Sequence, residues 1–187
     1  MKLSIQASIT PVTEEPSDVR LAVAKNPATR PHILEQLAQD PYLEVQKAVA
    51  KNPHTPAEIL DRYLSSSRLR RAVLHNPSLS ADILHKHISD KYPLTRNAIA
   101  SNANTSKEDI ATLSHDTDWG VRGTVASRSD VSDIILAELA KDREWCVREA
   151  VACNPNTPID VLQTLTTDFN TSVAKAAAKR LAARQRG

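Results

Sequence analysis

The residues best able to do chemistry in this 187-residue chain recur at regular intervals. Five arginines, Arg20, Arg70, Arg96, Arg122 and Arg148, form one set, and five aspartates, Asp40, Asp90, Asp116, Asp142 and Asp168, form another. A row of arginines is a track for phosphates or for an acidic protein. It is equally a set of planar forks that pair with carboxylates and tie neighbouring segments together. The aspartates recur at matching spacing, so internal pairing accounts for both residue types. The two tryptophans, Trp119 and Trp145, occupy the same slot 26 residues apart. Side by side on a surface they are binding hot spots. Folded over their own helix starts they are hydrophobic staples, a reading that Leu43 in the same slot supports.

No other constellation of chemical groups emerges. The sequence has no glycine-rich phosphate loop, and no nucleophile has an identifiable local base. His85 and His87, two residues apart, point to different helix faces, and the remaining histidines are scattered, so no metal set is expected. Cys146 and Cys153 lie seven residues apart on one predicted helix, about 10 Å along its axis, too far for a disulfide. No metal, no cofactor and no catalytic residue is expected. A reducing, cytoplasmic setting follows from the free thiols, and neither a signal peptide nor a membrane span is visible.

The elements that must position these residues come from a repeat. The stretch VQKAVAKNPHTPAEIL from Val45 has copies beginning at Val19, Leu69, Thr95, Val121 and Val147. Its asparagine recurs as Asn26, Asn52, Asn76, Asn102 and Asn154, with Arg128 as the one substitute, in steps of 26, 24, 26, 26 and 26 residues. A fixed period in this range specifies a solenoid. Each unit reads as two short helices. The first carries a Val-x-x-Ala-Val stripe, and the Asn-Pro pair should end it, with Asn in a left-handed turn. Thr55 to Glu58 and Thr105 to Glu108 read as capping boxes that start the second helix, with Thr157 repeating the start. Pairs such as Ile59-Leu60 and Ile135-Leu136 follow as a second stripe. Six tandem repeats over 19–172 are expected, between an N-terminal arm or cap at 1–18 and a C-terminal capping helix at 173–187. Alternation of Leu3, Ile5, Ala7 and Ile9 permits an extended arm. Gly123 should weaken its helix, and with Gly120 it marks a bend.

These residues follow a pattern, VRxAVAxNPxTPxxxLxxLAxD, that resembles the leucine-rich repeat variant family from Val19 to about Val173. The resemblance implies an all-α, right-handed α-solenoid of short α/3-10 two-helix repeats, about 26 residues each, with HEAT-like and armadillo-type kinship in its Asp-x4-Val-Arg spacing. A described member carries an iron–sulfur cluster on a cysteine-rich domain that has no counterpart in this sequence, so that cofactor does not carry over. The helical-repeat DNA glycosylases, also solenoids, use a catalytic Asp beside aromatics in a basic groove. Asp116 and Asp142 near Trp119 and Trp145 raise that chemistry as a remote alternative.

Net charge is only +2, so bulk charge selects no partner. Its distribution is more informative: the first helices are basic, and the second helices with their caps are acidic. Lys25, Lys47, Lys51, Arg71 and Arg128, together with Trp119 and Trp145, are the expected contacts for a partner. The expected function is a non-enzymatic scaffold that binds another protein along one helical face. Nucleic-acid binding through the basic row is the alternative, and the oligomeric state is not legible.

Overall fold

The computed structural model describes residues 11–184, and these are helical wherever they are regular. A short 3-10 helix, Val12–Glu14, precedes thirteen α-helices. The first helices of successive repeats are α1 (Ser17–Lys25), α3 (Leu43–Lys51), α5 (Arg70–Val73), α7 (Pro93–Ser101), α9 (Trp119–Ala126) and α11 (Trp145–Cys153). The second helices are α2 (Pro31–Leu37), α4 (Ala57–Ser65), α6 (Ala81–Lys86), α8 (Lys107–Leu113), α10 (Asp133–Leu139) and α12 (Ile159–Leu165), and α13 (Thr171–Arg184) ends the described chain. The chain divides into two compact units, residues 1–80 and 81–187, with the division inside the shortened third repeat.

The repeats after the first bury most of the stripes that their sequence predicts, whereas in α1 Val19 is 39% exposed and Ala22 is exposed. In α3, Val45, Ala48, Val49 and Ala50 are buried; in α4, Ile59, Leu60, Tyr63 and Leu64 are. In the N-terminal unit α1 packs on α3 and α3 on α5; in the C-terminal unit α7, α9, α11 and α13 pack in sequence. Alanine at the centre of the first helices, replaced by Thr124 in α9, permits that approach. A fully buried Leu or Val contributes about 1.5–3 kcal/mol, and here that energy comes from neighbouring repeats.

The second helices are α-helical in their middles. Bonds of the 3-10 type occur at their ends, as at Ile59 N–H to Pro56 C=O and Asp40 N–H to Leu37 C=O. The 3-10 character implied by the family pattern is therefore confined to the first and last turns.

Two local expectations are corrected. Asn52, Asn102 and Asn154 end their helices in extended backbone, φ −72°, −73° and −65°, and no described non-glycine residue has positive φ. The proline that follows Asn52 and Asn154 favours the extended form. The threonines do not cap the second helices. Instead Thr29, Thr55, Thr105 and Thr157 donate their hydroxyls to the carbonyls of Val23, Val49, Ile99 and Val151, at 2.5–2.6 Å. Each carbonyl lies six residues upstream, in the last turn of the first helix, where it also accepts the N–H of the asparagine that ends the helix. Threonine thus clamps the turn between the two helices. The N-cap of α8 falls one residue later, at Ser106, which accepts from Asp109 N–H.

The strand-like stretch Leu3 to Ile9 lies outside the described residues. The 3-10 helix packs on α2, and Arg20 donates to the Glu15 carbonyl, so residues 11–16 supply an end surface for the first repeat.

Helix α9 runs unbroken through Gly120 and Gly123. A Cβ on Gly123 would meet nothing nearer than Val147 Cγ2 at 4.0 Å. Packing therefore does not require glycine there. Gly123→Ala is expected to stabilise the C-terminal unit by about 0.5–1 kcal/mol, read as a higher urea midpoint with unchanged slope.

Candidate binding edge and its arginine ladder

The arginines are consumed inside the protein. Arg122, second residue of its Val-Arg pair on α9, donates Nε to Asp142 Oδ2 at 2.6 Å and Nη2 to Oδ1 at 2.9 Å. Its Nη1 donates backwards to the Asp116 carbonyl at 2.8 Å. Arg96 and Arg148 repeat the arrangement with Asp116 and Asp168, and Arg20 pairs with Asp40. Each fork therefore joins the carboxylate that closes its own repeat to a carbonyl of the junction before it. The same carboxylates accept a backbone N–H two residues on, such as Glu144 N–H on Asp142, and so set the entry of the next first helix. Arg70 donates to the Leu64 carbonyl, and Gln46, the gap in the arginine row, donates to the Asp40 carbonyl.

The electrostatics follow from this geometry. Burial pushes the Asp142 carboxyl up, but the Arg122 hydrogen bonds, the Glu144 N–H and the Arg122 charge outweigh it and hold the group below the ordinary carboxylate value. Asp116 and Asp40 behave alike, and Asp168 is held down first of all by its hydrogen bonds from Arg148. Each arginine is raised above its ordinary value, chiefly by its aspartate. A depressed carboxylate binds fewer protons folded than unfolded, so its contribution is complete above the unfolded value of 3.8 and disappears as pH falls through the lower folded value. The ladder should therefore give an acid limb: melting temperature drops steeply below about pH 4, and Arg122→Gln flattens that limb. Thermal scans across buffers check both.

This wiring decides several sequence expectations. Asp116 and Asp142, the carboxylates named for glycosylase-like chemistry, are each gripped by two arginine nitrogens. Arg128, expected to face a partner, does structural work instead. Its Nη1 donates to the carbonyls of Ala100 and Asn102, both at 2.7 Å. Asn154 Nδ2 makes the same two bonds one repeat on, to Ala126 and Arg128, and Asn52 and Asn76 make them in the N-terminal unit. Arg128 thus replaces asparagine as a rung between repeats. Asp130 neutralises it through two bonds at 2.7 Å, and its side chain is only 9% exposed.

The tryptophans, in contrast, face solvent. Trp119 is 55% exposed and Trp145 46%, each the first residue of its helix. α9 and α11 pack directly, so their N-termini lie side by side, with helix axes about 8–10 Å apart. Partial burial leaves a share to the staple reading, but about half of each indole stays open. Sequence reasoning missed the rest of this edge. Tyr92 and Leu94 at the start of α7 are exposed, and so is Phe169 in the loop before α13, at 86%. All sit within four residues of a ladder aspartate, which is the sequence signal that could have found them. The Phe169 ring lies 4.5 Å from the Arg148 guanidinium carbon, so a ladder arginine braces this aromatic from within. Within this edge, Asp118 caps α9 by accepting from Gly120 and Val121 N–H.

A second missed feature lies in the second-helix row. Asp109 occupies the slot of Ile59 and Ile135, yet is only 2% exposed. His85 reaches it from α6, Nδ1 to Oδ1 at 2.7 Å, and that hydrogen bond raises the histidine above its ordinary value. A charge in an isoleucine slot is the signal, and the histidine is its compensation. Among the described residues, no group of three His, Cys, Asp or Glu could hold a metal, and no helix is long and apolar enough to cross a membrane. Cys146 is half-buried and Cys153 exposed, and both are free thiols.

Comparison with known proteins agrees with the repeat. The leucine-rich repeat variant family model matches residues 18–41. A solved leucine-rich repeat variant, described as having a novel repetitive structural motif, is similar over 92% of this chain and 70% of its own, at 26% identity and a TM-score of 0.68. A solved engineered protein aligns over 94% of this chain and 86% of its own, at 18% identity and a TM-score of only 0.38. No curated protein matches in sequence. The first repeat carries the leucine-rich repeat variant sequence, and the described residues have the all-helical repetitive fold of a leucine-rich repeat variant protein.

Proposed function

We propose that this protein is a non-enzymatic repeat scaffold that binds another protein along the edge of its C-terminal unit formed by the first-helix N-termini. The observation that carries the reading is the contrast between the two repeating sets. The arginines, which could have formed a phosphate track, are turned inward and neutralised. Trp119 and Trp145 stand half-open on adjacent helices, with Tyr92 and Phe169 in equivalent loops. Tryptophan and tyrosine offer large contact area at low conformational cost, and they dominate protein interfaces. Free thiols at Cys146 and Cys153 suit a reducing, cytoplasmic setting.

The test is affinity capture with the wild-type chain and the Trp119→Ala, Trp145→Ala double variant as baits. A partner held by the first and released by the second supports the reading. An identical set of bound proteins on both baits overturns it.

A further inference from the structure

The first-helix row of the N-terminal unit has a surface of a different kind. The residues two and six places after each Val or Leu start lie off the buried stripe. There stand Lys25 on α1, Lys47 and Lys51 on α3, and Arg71 with His75 at α5 and its end. Lys25, Lys51, Arg71 and His75 are exposed, and Lys47 is half-buried. The carboxylate beside them is Glu44, which accepts from Lys47 Nζ at 2.8 Å. Its carboxyl is held below the ordinary value first by that bond and the Lys47 charge, and then by Lys51 and by Lys25 from the neighbouring helix. Lysines from two packed helices therefore share one neighbourhood around Glu44. These cations differ from the ladder arginines: among the described residues no ion pair holds Lys25, Lys51 or Arg71. The equivalent positions of α7, α9 and α11 hold Asn97, Ser101, Gly123, Ser127, Glu149 and Cys153, so the basic character is not a general property of the repeat.

We propose that this face of α1, α3 and α5 binds an acidic polypeptide segment, a function beyond the aromatic edge and independent of it. Packed helices lie about 8–10 Å apart. An extended chain advances about 3.3 Å per residue, so a carboxylate at every third residue meets successive lysines. Charge complementarity selects an acidic ligand. Two features favour a peptide over a nucleic acid. Among the described residues, the exposed outward positions of these helices carry no Phe, Tyr or Trp on which bases could stack. A handful of cations with a carboxylate among them also supplies few phosphate contacts.

The experiment is fluorescence anisotropy at about 50 mM salt, where screening is weak. The probes are a labelled Glu-Gly-Ser repeat peptide, its Gln-Gly-Ser counterpart, a single-stranded RNA and a duplex DNA. Lys25→Gln, Lys51→Gln and Arg71→Gln combined should weaken glutamate-peptide binding about tenfold, the loss of about 1.4 kcal/mol expected of three exposed contacts near half a kcal/mol each. Lys175→Gln with Lys179→Gln, in the C-terminal unit, should leave it unchanged, as should Trp119→Ala with Trp145→Ala. Matching melting curves exclude unfolding as the cause. No binding of the glutamate peptide, equal binding of the glutamine peptide, an unaffected triple variant, or tighter binding of either nucleic acid would each overturn the proposal. Because the tryptophans lie in the other unit, this outcome is separable from the fate of the aromatic edge.

Discussion

Arg122→Ala is expected to destabilise the C-terminal unit by about 2–3 kcal/mol, the largest stability effect of any single substitution considered. The substitution removes two charge-assisted bonds to Asp142 and the bond to the Asp116 carbonyl. It also strands Asp142, whose carboxylate is buried and retains only Glu144 N–H. The stranded charge is the larger part of the cost, which is why the cycle partner matters. Asp142→Ala alone should also destabilise, but Arg122→Ala with Asp142→Ala should cost less than the sum, because no unpaired charge remains. Arg122→Lys should not rescue, since a point charge cannot serve two carboxylate oxygens and a carbonyl together. Urea unfolding followed by circular dichroism gives all four corners. Additive effects across the cycle would mean that the ladder is ornamental.

The second large effect falls on binding. For a captured protein partner, Trp119→Ala and Trp145→Ala should each weaken affinity about 30-fold or more, the loss of about 2 kcal/mol that marks a hot spot. Their sum need not be additive, because the indoles sit on adjacent helices and share one contact zone. Half-open side chains lose modest burial on truncation, so the double variant should melt close to wild type. Phe169→Ala, more exposed still, should produce a smaller loss, because its ring is already stacked on Arg148. Isothermal calorimetry with the purified partner measures these values. Retained affinity in the double variant would place the interface elsewhere.

Much of the architecture was legible because a repeat states its own register. The Val-x-x-Ala-Val stripe, the Ile-Leu pairs and the 26-residue step determine which residues must be buried before any contact is known. The Arg–Asp pairing was legible for the same reason, since both members recur in phase. The polar bonds between repeats were harder to read. Asn52 Nδ2 reaches carbonyls 26 and 28 residues away, and such a contact exists only once two repeats are stacked. Arg128 looked like an exposed cation because its two carbonyl acceptors lie in the preceding repeat, although Asp130 two residues on hinted at its neutralisation. The threonines were misread because capping-box spacing is local, whereas the first-helix carbonyl competes for the hydroxyl only after the turn has closed. Basic charge along the first helices also meant two things at once. The residue directly after each aligned Val, Leu or Thr is internal, and those two and six after it face outward, a distinction that composition cannot make.

On the proposed function, the edge carrying Trp119 and Trp145 is the surface through which the protein meets its partner. These are the chain's two tryptophans, so intrinsic tryptophan emission reports on this edge and nothing else. The decisive measurement is of emission spectra and acrylamide quenching of the protein, alone and with a saturating captured partner that lacks tryptophan. Red-shifted, readily quenched emission is expected from the free protein, and a blue shift with reduced quenching in the complex. Emission that stays unchanged when the partner is bound would contradict the proposal.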